Sequence, residues 1–114
     1  MPHVAVSMAE KLTKEQTTDL KKTLGQLIAI LPTKSESVLM VDIADDRSLF
    51  FAGEELSHGA FVDVRLYGES PFDAKQQFTK KLTAYLEETF SVPPQYVYVN
   101  FVELNQWGVR GDLI

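Results

Sequence analysis

The chain has 114 residues, a formal net charge of −5 and a sequence pI near 4.9. Its 45% hydrophobic and 24% charged content exclude a disordered chain. The length fits one domain, which should bury roughly 60–70% of its unfolded surface. Eleven Lys and Arg against sixteen Asp and Glu do not make the dense basic patch that a phosphate backbone requires. Nucleic acid is not an expected partner.

Cysteine is absent, which removes disulfides, thiolate metal sites, thiol catalysis and redox switching at once. With only His3 and His58 available, a metal centre would have to be built almost wholly from carboxylates. The longest apolar stretch, Leu27 to Leu31, is far below the ~20 residues that span a bilayer. The start, Met1-Pro2-His3-Val4, has neither a basic region nor an apolar leader. No membrane partner is expected, and the expected location is the cytoplasm.

The first element is a strand, because Val4, Val6 and Met8 alternate with Ala5 and Ser7. Thr13-Lys14-Glu15-Gln16 has the form of a capping box and predicts a helix start. Leu20, Leu24, Leu27, Ile28 and Leu31 then fall on one helical stripe, which Pro32 ends. Val38 to Ile43 is a short apolar run suited to a second strand. Asp45-Asp46-Arg47 has the look of a solvated turn, and Ser48 to Ala52 forms a short extra strand before the turn residue Gly53. Phe61 to Leu66 is the next strand. Ser70-Pro71 predicts an N-cap followed by proline at the first helical position. Phe78, Leu82, Tyr85 and Leu86 make the stripe of the second helix, Pro93-Pro94 breaks it, and Tyr96 to Val102 is the last long strand.

The two halves repeat this plan in register. Val4 falls on Val62, Val6 on Val64, Lys22 on Lys80, Leu24 on Leu82 and Val41 on Val99, a constant offset of 58 with no gap from Val4 to Ile43. The repeats run approximately over 2–44 and 60–103. Two βαβ units with right-handed crossovers place both helices on one face of a four-stranded mixed sheet, an α/β two-layer sandwich. Val4, Val6, Met8, Leu39, Val41, Val62, Val64, Leu66, Val97, Val99 and Phe101 should face the helices. The other face carries His3, Ala5, Ser7, Val38, Met40, Asp42, Asp63, Arg65, Tyr67, Tyr96, Tyr98 and Asn100. Nothing in the chain is left to cover that mixed face, so a homo-oligomer is expected.

Pro2 holds the most chemical potential. Methionine is readily removed before a small residue, which would leave Pro2 as a free secondary amine. In an apolar pocket its protonated form is disfavoured, and the neutral amine becomes a general base or nucleophile. Many chains begin Met-Pro for no chemical reason, so this reading gains weight only from its context. Lys34, just past the Pro32 break, would reach a pocket at the strand edge and anchor a carboxylate, or else sit solvated in its loop. Tyr98 and Asn100, two apart on one strand, share the uncovered face. Asn100 would need hydrogen-bond partners if buried, as a structural amide also would. His3 and His58 read as surface or interface residues.

These residues together carry a resemblance. Met1-Pro2, the offset repeat, Lys34 after the first helix, Phe51-Ala52-Gly53, and Val92-Pro93-Pro94-Gln95-Tyr96-Val97-Tyr98-Val99-Asn100-Phe101 resemble the tautomerase superfamily over essentially the full length. The branch they are most similar to is that of macrophage migration inhibitory factor and D-dopachrome tautomerase. The resemblance implies a cofactor-free keto–enol tautomerase acting on phenylpyruvate-like 2-keto acids. Pro2, after loss of Met1, would be its base, and Lys34 would hold the substrate carboxylate or oxyanion. The Tyr67 backbone N–H, before Gly68, would be a further donor, with Tyr98 and Asn100 contributed by a neighbouring subunit. It further implies a homotrimer with sites at the subunit boundaries, and one domain over residues 1–114. An alternative is a trimeric binding or signalling protein of the same kind without catalysis. The chain departs from the family pattern at Val38, where some members carry a tyrosine, and at Ile114, where many have phenylalanine near the terminus. The tail Gln106–Asp112, which helps build the pocket rim, matches loosely. The family's Cys-x-x-Cys segment is missing.

Overall fold

The computed structural model describes residues 1–114. Strand β1 (Pro2–Met8) leads to helix α1 (Lys14–Leu27), then β2 (Met40–Ala44) and two short strands, β3 (Phe50–Phe51) and β4 (Glu54–Glu55). Strand β5 (Ala60–Tyr67) is followed by helix α2 (Phe72–Phe90), β6 (Val97–Leu104), and the short strands β7 (Gly108–Val109) and β8 (Asp112–Leu113). The main sheet has the order β2-β1-β5-β6. Its outer pairs, β1 with β2 and β5 with β6, are parallel, while the central pair β1–β5 is antiparallel. Each parallel pair therefore needs a helical crossover, which α1 and α2 supply.

Alternation decides which face is covered. β1 and β5 bury every second residue, so Val4, Val6 and Met8 meet Val62, Val64 and Leu66 in one layer. Leu20 and Leu24 of α1 and Phe78, Leu82 and Leu86 of α2 close over that layer in a single core cluster. Leu39, Val41, Val97, Val99 and Phe101 pack against its margin, half-buried because β2 and β6 are the edge strands. Tyr85 Oη donates to Asp19 Oδ2 at 2.5 Å and ties the helices together; burial first, then this bond, raises its pKa. No helix is long and apolar enough to cross a membrane.

The capping box forms as read: Gln16 N donates to Thr13 Oγ1 at 3.1 Å, and Thr13 N to Gln16 Oε1 at 2.8 Å. The helical stripe continues past α1, since Ile28 and Leu31 are buried in and after a tighter closing turn, Ile28–Ile30. Other expectations shift. Val38 lies in a helical turn, Glu36–Val38, and the strand begins only at Met40. Tyr96 likewise closes a turn, Pro94–Tyr96. Asp45 is more than a solvated turn residue, because its Oδ2 accepts the Leu12 amide at 2.7 Å and fixes the approach to α1. The extra strand shrinks to Phe50–Phe51 and pairs with Glu54–Glu55 through Ala52-Gly53, whose φ angles of 52° and 82° suit a two-residue hairpin loop.

Ser70 does not cap α2. Pro71 occupies the N-cap position without a side-chain bond, and Ser70 Oγ is buried without a partner. The segment before the helix is instead held from across the fold. Glu103 Oε2 accepts the Ser70 amide at 2.6 Å while Oε1 accepts Lys75 Nζ at 2.7 Å. Lys75, and then the Ser70 amide, hold the Glu103 carboxyl below its ordinary pKa. A carboxylate lowered in the folded state adds stability above its unfolded pKa and loses it as pH falls through the lowered one. Glu103→Gln should therefore destabilise the fold at neutral pH and flatten its acid limb, measured as denaturation midpoints across pH 2 to 7, on the order of the carboxylate range.

Candidate active site

The N-terminal end of β1 is where the predicted residues begin to meet. Proline lacks an amide hydrogen, so it is tolerated at the first residue of a strand. Pro2 takes that place opposite Leu66 and is buried. Met1 precedes it, and the Met1 carbonyl accepts the Tyr67 N–H at 3.2 Å. Tyr67 ends β5, and Gly68 follows at φ 84°, its N–H given to the Leu104 carbonyl at 2.7 Å. This left-handed step is open to glycine without strain.

Lys34 is delivered from the other side. After Leu31 and Pro32 the chain passes through Thr33 at φ 66°, and the Lys34 amide returns to the Leu31 carbonyl at 3.1 Å. The Lys34 ammonium then donates to the Tyr67 carbonyl at 2.7 Å. Lys34, Tyr67 and the Met1-Pro2 end thus converge, as the sequence reading anticipates. Burial, followed by the Lys34 charge and hydrogen bond, holds the Met1 amine below its ordinary pKa. With Met1 present, both backbone groups of Tyr67 are engaged. Its carbonyl orients Lys34, and its N–H is already taken by Met1.

A cavity of about 660 Å³ opens over this corner. Met1, Pro2 and His3 line one part, and Val38, Met40, Leu104, Trp107 and Val109 form apolar walls. Arg65 and Arg110 complete the lining with Gly108, and no carboxylate is among the eleven residues. In a chain of net charge −5, this is a local excess of positive charge beside apolar surface. The tail reaches the cavity because it forms a hairpin, β7 with β8, closed by a reciprocal pair of backbone hydrogen bonds between Trp107 and Ile114 at 3.0 and 2.9 Å. Arg65 and Arg110 are missed by sequence reasoning. Arg65 is legible only as an outer-face strand residue, and Arg110 only as part of the tail Gln106–Asp112 that the resemblance sets at the pocket rim.

Tyr98 and Asn100 do not join Pro2 within one chain. Tyr98 pairs with Phe61, which in turn faces Ser7, five residues along β1 from Pro2. At ~3.4 Å per residue the offset along the strand is roughly 17 Å, before the two-strand spacing is added. Asn100 Nδ2 donates to Asp63 Oδ1 at 3.2 Å, and Tyr98 lies edge-on to Phe51 at 5.9 Å. Both face away from the helices, Tyr98 59% exposed. Phe61, absent from the predicted outer face, is exposed there as well.

The description of one protein family fits the chain over residues 1–112, that of macrophage migration inhibitory factor. The chain belongs to this family. No curated protein sequence matches it. Solved structures match its fold closely at low identity. Leishmania major MIF2 superposes with a TM-score of 0.90 at 20% identity, covering 100% of this chain and 97% of that one. The macrophage migration inhibitory factor-like protein of Entamoeba histolytica gives 0.86 at 17% identity, covering 99% and 98%. A third, Pt0534 in the form inactivated by 2-oxo-3-pentynoate, gives 0.84 at 17% identity, covering 96% and 93%.

The Met1 amine offers a direct check on the electrostatics of this corner. Lys34→Gln should raise its pKa towards the ordinary value without restoring it fully, because burial remains the larger cause. The pH dependence of N-terminal acylation, or a 15N titration of the amine, measures this. An unchanged pKa would show that Lys34 does not act on the N-terminus.

Proposed function

We propose that this protein is a cofactor-free keto–enol tautomerase of phenylpyruvate-like 2-keto acids, with Pro2 as the base once Met1 is removed. The observation that supports it best is the convergence of Lys34 and Tyr67 on the Met1-Pro2 end, which itself lines a largely apolar cavity with no carboxylate in its wall. While Met1 is present, the Pro2 nitrogen is an amide and has no basic lone pair. Excision of that one residue does two things at once. It converts the buried Pro2 nitrogen into a secondary amine, and it deletes the carbonyl that occupies the Tyr67 N–H.

The burial and the Lys34 charge that lower the Met1 amine would act on the Pro2 amine in turn. A neutral amine at neutral pH would take a proton from C3 of the keto acid. The enolate oxygen would lie towards the Lys34 ammonium and the vacated Tyr67 N–H, which stabilise the charge as it develops. The protonated Pro2 would return the proton to oxygen, completing the isomerisation without a cofactor. Inactivation of a structural neighbour by 2-oxo-3-pentynoate, an unsaturated 2-keto acid, accords with this substrate class. The separation of Tyr98 and Asn100 from Pro2 in one chain accords with a homotrimer in which a neighbouring subunit supplies them. The exposed Met40, Phe61 and Tyr98 on the uncovered sheet face would be buried in such an assembly.

The test follows phenylpyruvate tautomerisation by absorbance on protein shown by mass to begin at Pro2. Pro2→Gly should lower kcat/KM by about 10²–10⁴-fold, the usual worth of a positioned base, with the assembly intact by light scattering. Protein that keeps Met1 should be comparably slow. Full activity in either form would exclude Pro2 as the base. No activity in Met1-free protein would leave the same pocket as a binding site without catalysis, the second reading that the anion-friendly lining supports.

A further inference from the structure

Arg65 and Arg110 both line the cavity, but their charges are answered differently. Arg65 Nε donates to Asp63 Oδ2 at 3.1 Å, and Asp63 also takes the Asn100 amide, so Arg65 is compensated within the sheet. Arg110 has no ion-pair partner anywhere in the chain. It stands at the tip of the β7–β8 hairpin at φ 53°, next to Gly111 at φ 78°. A long side chain enters this left-handed region uncommonly, and Asn or Gly would fit the same turn without strain. The hairpin is closed by the Trp107–Ile114 bonds, so the guanidinium is carried on a braced loop.

An unpaired guanidinium beside apolar walls, with no carboxylate on the lining, is built to receive an anion in a forked hydrogen bond. The Lys34 ammonium stands apart from this group: it is hydrogen-bonded to the Tyr67 carbonyl beside Pro2 and is not among the residues that line the cavity with Arg110. The cavity, about 660 Å³, is of the size that holds drug-sized ligands and leaves room beyond a phenyl ring. We propose that Arg110 is a specificity-determining residue that binds a second acidic group, so that preferred ligands are 2-keto acids with an apolar body and an anionic far end. This deepens the tautomerase reading and rests on its placement of the keto acid at Pro2 and Lys34.

Trp107, the single tryptophan of the chain, lines the same cavity and reports binding without turnover. The experiment titrates two unreactive probes, 3-phenylpropanoate and 3-(4-carboxyphenyl)propanoate, into Met1-free protein and follows Trp107 emission. The diacid should bind about tenfold more tightly, as expected for one charge-assisted bond. In Arg110→Asn, which suits the turn, the ratio of the two dissociation constants should fall to about one; in Arg110→Lys, which keeps the charge, most of it should survive. No preference in the native protein, or an unchanged ratio in Arg110→Asn, overturns the proposal. The two readings fail separately. A diacid preference that depends on Arg110 in protein that does not turn over phenylpyruvate leaves the anion site standing and removes the base. Turnover without the preference does the reverse.

Discussion

The Lys34–Tyr67 hydrogen bond is the contact on which the corner depends. A single ammonium-to-carbonyl bond of 2.7 Å joins the loop after α1 to the end of β5. On the same residue, the Tyr67 amide reaches back to Met1 at the start of β1. Three segments distant in sequence thus meet on one residue. A charged donor strengthens the bond, and partial burial protects it from solvent competition. Without it, the cation would sit in a solvated loop and the N-terminus would lose the neighbour that disfavours its charge.

The sheet explains why the N-terminus is in a position to be used. β1 is a central strand, paired on both sides, so its first residue is held as firmly as its last. Chain ends are usually mobile because nothing ties them down. Here the antiparallel pairing of Pro2 with Leu66 sets the terminus beside Tyr67, and the parallel partner β2 brings Met40 to the opposite flank. The helices cover only the other face. What remains on this face is a band of apolar, aromatic and charged side chains whose functional members stand too far apart to meet within one chain.

The charge distribution carries a related lesson. An acidic chain is a poor general binder of anions, yet the cavity gathers Arg65, Arg110 and the nearby Lys34 around apolar walls. The position of each is set by a different device: an outer-face strand register for Arg65, a hairpin tip for Arg110, a turn after a helix break for Lys34. Such a lining sets walls that reward the burial of apolar groups beside cations that answer a negative charge.

Much of the frame was legible in the residues themselves. The period-two alternation of β1 and β5, the helical stripes, the Thr13 capping box and the proline breaks each act locally, so local reasoning reaches them. Pro2, Lys34, Tyr98 and Asn100 could be named because the resemblance to the tautomerase superfamily marks them; residue type and spacing alone left other readings of each open. The sequence could not say that Glu103 ties down Ser70 and Lys75, that Tyr67 gives its carbonyl to Lys34, or that the tail folds into a hairpin that places Arg110 on the cavity wall. Each of those is a contact across roughly thirty or more residues of chain, or a backbone turn fixed by its partner strand, and pairing at that range is decided by packing. Periodicity determined the layers, and the Met1-Pro2 start with the family resemblance marked the candidate base. Only the tertiary structure decided which backbone groups are free, which charges are answered, and which cations the cavity keeps.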